Sequence, residues 1–218
     1  MNWKLPNQLT VGRIALAAAF FILLGIYEQT GDAGRWLLMS AFVIYIVAGI
    51  TDVLDGWIAR RYHWTSAFGR IVDPFVDKVL VVGAFVMLCG SNYTLPPAVV
   101  AGQLEWDLPA WVNGRMFSGV QAWMVVVVMA REFIVSAVRG YSESQGKKFP
   151  ATPAGKIKMF LQSVAICTAL YQMANLPGVP WAICTKLITI WLALIATVLS
   201  GLVYVNRAKG LMKGGEGE

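Results

Sequence analysis

Four of the six aspartates in this chain, Asp52, Asp55, Asp73 and Asp77, fall within 26 residues. On a helix the first two share a face, three residues apart, and so do the last two, four apart. Both pairs border long apolar runs. A carboxylate at the centre of a membrane helix costs about 3 kcal/mol on insertion scales, hence roughly 12 kcal/mol for four without compensation. Divalent cations would supply that compensation. An all-oxygen donor set suits Mg²⁺ or Mn²⁺ better than zinc or copper. Four carboxylates can hold two ions, and a two-ion site stabilises both the attacking and the leaving oxygen of a displacement at phosphorus.

The neighbouring residue types fit a phosphate ligand. Gly56, Ala59 and Gly69 leave room for a diphosphate to approach the backbone, and Arg60 offers a planar cation to its oxygens. Small residues also serve close helix packing in membranes. Pro74 removes a backbone donor and biases Asp73 away from helical geometry, so a helix is expected to begin there or to kink. An attacking alcohol needs a proton acceptor beside the ions, and a carboxylate is the only such group in the cluster.

The elements that must carry these residues are membrane helices. The chain is 57% hydrophobic and 14% charged, with nine Trp and a mean hydropathy of +0.61, more apolar surface than a soluble core of 218 residues needs. Apolar windows fall at about 9–27, 37–59, 71–90, 118–138, 157–175 and 181–204. The first has no small-residue cleavage site after it and reads as a retained helix. Six spans put both termini on one side. Fifteen of the eighteen basic residues share that side, leaving Arg35, Arg115 and Lys186 on the other. The positive-inside rule then places both termini, the aspartates and the 139–158 loop in the cytoplasm.

The expected fold is therefore all-α, a polytopic protein with six transmembrane helices in a cytoplasmic membrane. Residues 1–210 read as one domain and 211–218 as a tail with nothing to bury. Trp106 and Trp111, in the longest external connection, read as interfacial anchors. Cys89, Cys167 and Cys184 lack the spacing of a zinc site or a disulfide framework. The net charge of +6 is spread between apolar runs, which argues against a nucleic-acid partner. A single histidine, His63, excludes schemes that need paired histidines or a Ser–His dyad, and no P-loop or GxGxxG string is present. A divalent-cation transporter would need acidic residues continuing across the membrane, and here they sit at one end of two helices.

The string Asp52-x2-Asp55-Gly56-x2-Ala59-Arg60-x8-Gly69-x3-Asp73-x3-Asp77 resembles the signature of the CDP-alcohol phosphotransferases, with every motif position filled. The resemblance covers nearly the whole chain, because six spans with the motif crossing the second and third is that family's architecture. It implies two ions held by Asp52, Asp55 and Asp73, with Asp77 as a further ligand and the general base. It also implies that Gly56, Ala59, Arg60, Ser66 and Gly69 line a CDP-diacylglycerol site, with Asn7 and Thr10 near the diphosphate, and that the protein is a homodimer in a bacterial inner membrane.

Two further stretches resemble the phosphatidylglycerophosphate synthase branch of the family. One is Leu5-Pro6-Asn7-Gln8-Leu9-Thr10-Val11-Gly12-Arg13. The other is Met129-Ala130-Arg131-Glu132-Phe133-Ile134-Val135-Ser136-Ala137-Val138-Arg139, followed by Gly155-Lys156-Ile157-Lys158. They imply glycerol 3-phosphate as the acceptor; sister enzymes use inositol phosphate, serine or phosphatidylglycerol. An acceptor with its own phosphate needs a basic pocket, for which Arg131, Arg139, Lys156 and Lys158 are the candidates. Lys158 can equally be read as ordinary cytoplasmic-side charge drawn to anionic lipid.

Overall fold

A computed structural model describes residues 5–29, 31–62, 67–95, 116–146 and 152–213. Side chains at 5–7, 9, 31, 55–60, 62, 67–74 and 208–213 lie outside the description. Six long helices account for most of the described residues: α1 (Leu5–Gly25), α2 (Gly31–Tyr62), α3 (Ala67–Leu88), α4 (Ala122–Ser144), α5 (Pro153–Asn175) and α6 (Pro180–Lys213). They match the six apolar windows in order. Stretches within α2, α5 and α6, at Asp32–Leu54, Pro153–Asn175 and Pro180–Arg207, are long and apolar enough to cross a membrane. The apolar part of α1, Thr10–Gly25, is shorter.

A 3–4 repeat of buried residues explains how the first three helices pack. On α1 the buried face runs Thr10, Arg13, Ala17, Phe20, Leu24, and Tyr27 continues it just past the helix end; on α2 it runs Leu38, Ala41, Tyr45, Ala48. One more step of four along α2 reaches Asp52, and a further three reaches Asp55. On α3 Leu80, Ala84 and Leu88 are buried, and Asp77 lies one short step below Leu80. The seam that holds the helices together thus turns from apolar to carboxylate at one end. The 32 residues of α2 make it about 48 Å long, well beyond a hydrocarbon core of about 30 Å, so its C-terminal turns overhang the apolar stretch.

Close approach is achieved at two glycines. A Cβ on Gly83 of α3 would lie 2.5 Å from the Phe21 ring of α1. Gly119, just before α4, has φ +78°, a conformation that L side chains resist, and a Cβ there would meet Leu187 of α6 at 2.7 Å. Phe20 packs on Tyr45 with ring centroids 5.5 Å apart, and the Tyr45 hydroxyl donates to Ser163 Oγ at 3.3 Å, linking α2 to α5. At the other end of the bundle Tyr27 and Tyr93 stack at 5.0 Å, and Lys186 donates to Phe117 O at 2.6 Å and Gln172 Oε1 at 2.7 Å.

Some expectations are revised. Of the two alternatives at Pro74, a helix start is overturned: α3 starts at Ala67 and runs through the proline. One missing amide donor is tolerated inside a helix packed against neighbours. α6 continues to Lys213, three residues into the stretch expected to be a tail, and 214–218 lie outside the described residues. So do Trp106, Trp111 and His63. All three cysteines are free and half-buried.

Candidate active site

At the carboxylate end of the seam the organising group is a cation from α1. Arg13, only 2% exposed, places Nη1 2.7 Å from Asp52 Oδ1 of α2 and 3.4 Å from Asp77 Oδ1 of α3. Its position follows from the repeat: it is the next step after Thr10 on the buried face. A buried guanidinium lacking carboxylates would carry a heavy desolvation cost, and two half-exposed carboxylates facing each other would repel. Each solves the other's problem.

This geometry tests the fit to divalent ions. Two carboxylate oxygens from different helices converge on a single cationic nitrogen, so they lie close enough to share one cation. Among the described residues the ligand atoms there are carboxylate oxygens, as Mg²⁺ or Mn²⁺ prefer. Among the described residues no group of three acidic, His or Cys side chains could hold an ion. Asp55 and Asp73, whose side chains lie outside the description, are the residues that would complete the set. Gly56, Ala59, Arg60 and Gly69 stand on helical backbone with their side-chain positions undescribed; Asn7 likewise, and Ser66 lies outside the described residues altogether. Thr10 is buried on α1, one turn from Arg13.

A cavity of about 320 Å³ opens beside Asp77. Among the described residues its wall carries five cationic side chains, Lys78, Arg131, Arg139, Lys156 and Lys158, against two carboxylates, Asp77 and Glu132. All four acceptor-phosphate candidates are therefore brought to one surface. The surplus of positive charge suits a small anionic ligand.

Glu132, 9% exposed, fixes the geometry of that surface. Its Oε1 accepts from Arg131 Nη1 at 2.8 Å and from Lys158 Nζ. Lys158 is 6% exposed and bound to α4 in this way, so it is not lipid-surface charge. Arg131 is held further by Nη2 donating to Ser200 Oγ and by the Tyr204 ring, 5.4 Å below the guanidinium. Its Nε, like that of Arg139, is buried without an acceptor among the described residues, which leaves a donor on each for an incoming anion. Lys78 donates to Ser136 Oγ at 2.6 Å, and that hydroxyl donates to Glu132 O at 2.7 Å. The N-terminus of α5 is built locally by Thr152, whose Oγ1 caps Gly155 N at 3.2 Å with Pro153 at the first position. Tyr204 ties it to α6, its hydroxyl accepting from Thr152 N at 3.1 Å.

Arg13, Lys78, Glu132, Gln162 and Tyr204 were not singled out by residue type and spacing alone. For Arg13 the signal existed, in its register with Thr10. For Glu132 a lone acid between two basic stretches was the clue.

The family model described as CDP-alcohol phosphatidyltransferase matches residues 3–199. A CDP-diacylglycerol–glycerol-3-phosphate 3-phosphatidyltransferase of Bacillus subtilis is 29% identical over 211 residues, covering 94% of this chain and 95% of that protein. The protein of the same name from Escherichia coli K12 is 29% identical over 212 residues, covering 96% and 97%, and that of Haemophilus influenzae is 27% identical over 213 residues, covering 96% of each.

Proposed function

Because the chain belongs to the CDP-alcohol phosphatidyltransferase family, we infer that it transfers the phosphatidyl group of CDP-diacylglycerol to the primary hydroxyl of glycerol 3-phosphate. The products are phosphatidylglycerophosphate and CMP. The observation that supports this reading is a cavity with Asp77 on one part of its wall and, among the described residues, an excess of cations on the rest. An acceptor seated there has its phosphate among the basic side chains and its hydroxyl beside a carboxylate.

In this reading Asp77 accepts the proton of the attacking hydroxyl. The hydroxyl oxygen forms the new bond to the lipid-linked phosphorus, and the bond to CMP breaks in the same displacement. Asp52, Asp55, Asp73 and Asp77 would hold two ions, Mg²⁺ or Mn²⁺, which would supply positive charge to the diphosphate and the leaving group. Arg60, Gly56, Ala59, Ser66 and Gly69 line the nucleotide side, with Asn7 and Thr10 near the diphosphate. Arg131, Arg139, Lys156 and Lys158 orient the acceptor through its phosphate.

We place this chemistry at the cytoplasmic side of a bacterial inner membrane, with six helices crossing it, both termini inside and two copies associated as the family resemblance implies. The charge asymmetry of the sequence supports the sidedness.

Purified protein with CDP-diacylglycerol in mixed micelles should release CMP only when glycerol 3-phosphate is added. A chelator should stop the release, and Mg²⁺ or Mn²⁺ should restore it. Release that depends instead on inositol phosphate, serine or phosphatidylglycerol would overturn the choice of acceptor.

A further inference from the structure

Gln162, on α5, also forms part of the cavity wall, and its hydrogen bonding is incomplete in an informative way. The residue is 0% exposed. Its Nε2 donates to Thr197 Oγ1 of α6 at 3.0 Å. The Thr197 hydroxyl has one proton, and that proton goes to Ala193 O at 2.6 Å. Thr197 can therefore only accept from Gln162, which fixes the amide with its nitrogen toward α6. The carbonyl end, Oε1, is left buried without a donor among the described residues. Buried acceptors are normally satisfied, and one retained in a cavity wall is a place for a ligand's donor.

The chemistry of the ligand decides what that donor is. Resting on the reading above, the acceptor brings a phosphate, a reacting primary hydroxyl and a second hydroxyl. The phosphate matches the cations, none of which donates to Oε1 here. The reacting hydroxyl belongs to Asp77. The remaining hydroxyl is a neutral donor in need of a neutral acceptor, and by its place along α5, one turn beyond Lys158, Gln162 stands next to the basic group. We propose that Gln162 is a specificity-determining residue whose Oε1 accepts a hydrogen bond from the non-reacting hydroxyl of the polyol phosphate acceptor. A buried amide held from behind selects a ligand that has this hydroxyl against one that lacks it.

The test compares glycerol 3-phosphate with 3-hydroxypropyl phosphate, which keeps the primary hydroxyl and the phosphate and lacks only the secondary hydroxyl. The full-length wild type should favour glycerol 3-phosphate in kcat/KM by about tenfold, the worth of one hydrogen bond to a fixed buried acceptor. Gln162→Met preserves size and removes the acceptor; its preference should fall to within about twofold, through loss on glycerol 3-phosphate with the deoxy analogue unchanged. Thr197→Val, which frees the amide to turn, should lower the preference as well and serves if the first variant fails to fold. A residue that only supports the fold would lower turnover of both acceptors alike. Equal use of the two acceptors by the wild type, or an unchanged preference in both variants, overturns the role of Gln162 while leaving the proposed reaction standing. A wild type that ignores glycerol 3-phosphate and uses a non-polyol acceptor overturns both.

Discussion

Two charged centres among the described residues are built on opposite plans. Around Asp77 and Asp52, acids converge on one buried cation, Arg13. Around Arg131 and Lys158, cations converge on one buried acid, Glu132. They also differ in exposure: the acids at the first are half-exposed, whereas every member of the second triad is shielded. A half-open acidic centre leaves its carboxylates accessible to ions from solution. A closed ion-paired centre holds its cationic side chains in place and presents only the remaining donors. The first plan suits a site that loads metal and a nucleotide lipid, and the second suits a rigid cradle for a small anion.

Asp52→Asn breaks the acidic plan most completely. It removes a proposed ion ligand and the partner of Arg13 at once. CMP release from CDP-diacylglycerol and glycerol 3-phosphate should fall at least about a thousandfold, as the loss of several kcal/mol of metal-based stabilisation entails. Turnover close to wild type would remove Asp52 from the centre.

Glu132→Gln breaks the basic plan. Removing one partner of a buried ion pair costs about 3–5 kcal/mol because the other charge stays buried. For a chain of this size a loss of about 3 kcal/mol lowers the melting temperature by roughly 6–12 °C. With Lys158 and Arg131 released, KM for glycerol 3-phosphate should rise far more than KM for the lipid. An equal rise in both would show that the clamp does not shape the acceptor site.

Arg13→Gln sharpens the contrast by asking whether the acidic centre can exchange its cation. In chelator the variant should melt several degrees below wild type, since two carboxylates then face each other without compensation. Saturating Mg²⁺ should narrow the gap. A gap of the same size with and without the ion would make Arg13 a packing residue and nothing more.

How far these centres were legible in the sequence depends on how they are encoded. The acidic one is local: four aspartates at helical spacing, in register with an apolar seam, can be read from a short stretch. The order and approximate ends of the six helices were legible for the same reason, because apolar length is a local property. The closed centre is assembled from residues far apart in the chain. Glu132 and Lys158 come from α4 and α5, Ser200 and Tyr204 from α6, and no spacing rule links them. That Lys158 is buried and committed to Glu132, while Lys156 two residues earlier is exposed, follows from how α5 is rotated against α4 and α6. Rotation about a helix axis is set by packing, and charge counting along the sequence is blind to it. Arg13 lies between these cases: its face was periodic and readable, and its basic type drew it into the count of cytoplasmic-side charges.

Tyr204→Phe is the mildest probe of the closed centre, and it separates two things the phenol does. The ring lies under Arg131 and stays in the variant, while the hydroxyl that accepts from Thr152 N and also bonds Arg139 is lost. The orphaned amide sits at the start of α5, whose first turns carry Lys156 and Lys158 to the cavity. About 1 kcal/mol of stability should be lost. The Thr152 amide should exchange its hydrogen faster. KM for glycerol 3-phosphate should rise only a few-fold, with KM for the lipid unchanged. If the shift matched that of Glu132→Gln, the cradle would owe its shape to the tether at the helix end rather than to its buried carboxylate, and the symmetry between the two centres would fail. A small shift, with the amide alone loosened, is what a cradle centred on Glu132 requires.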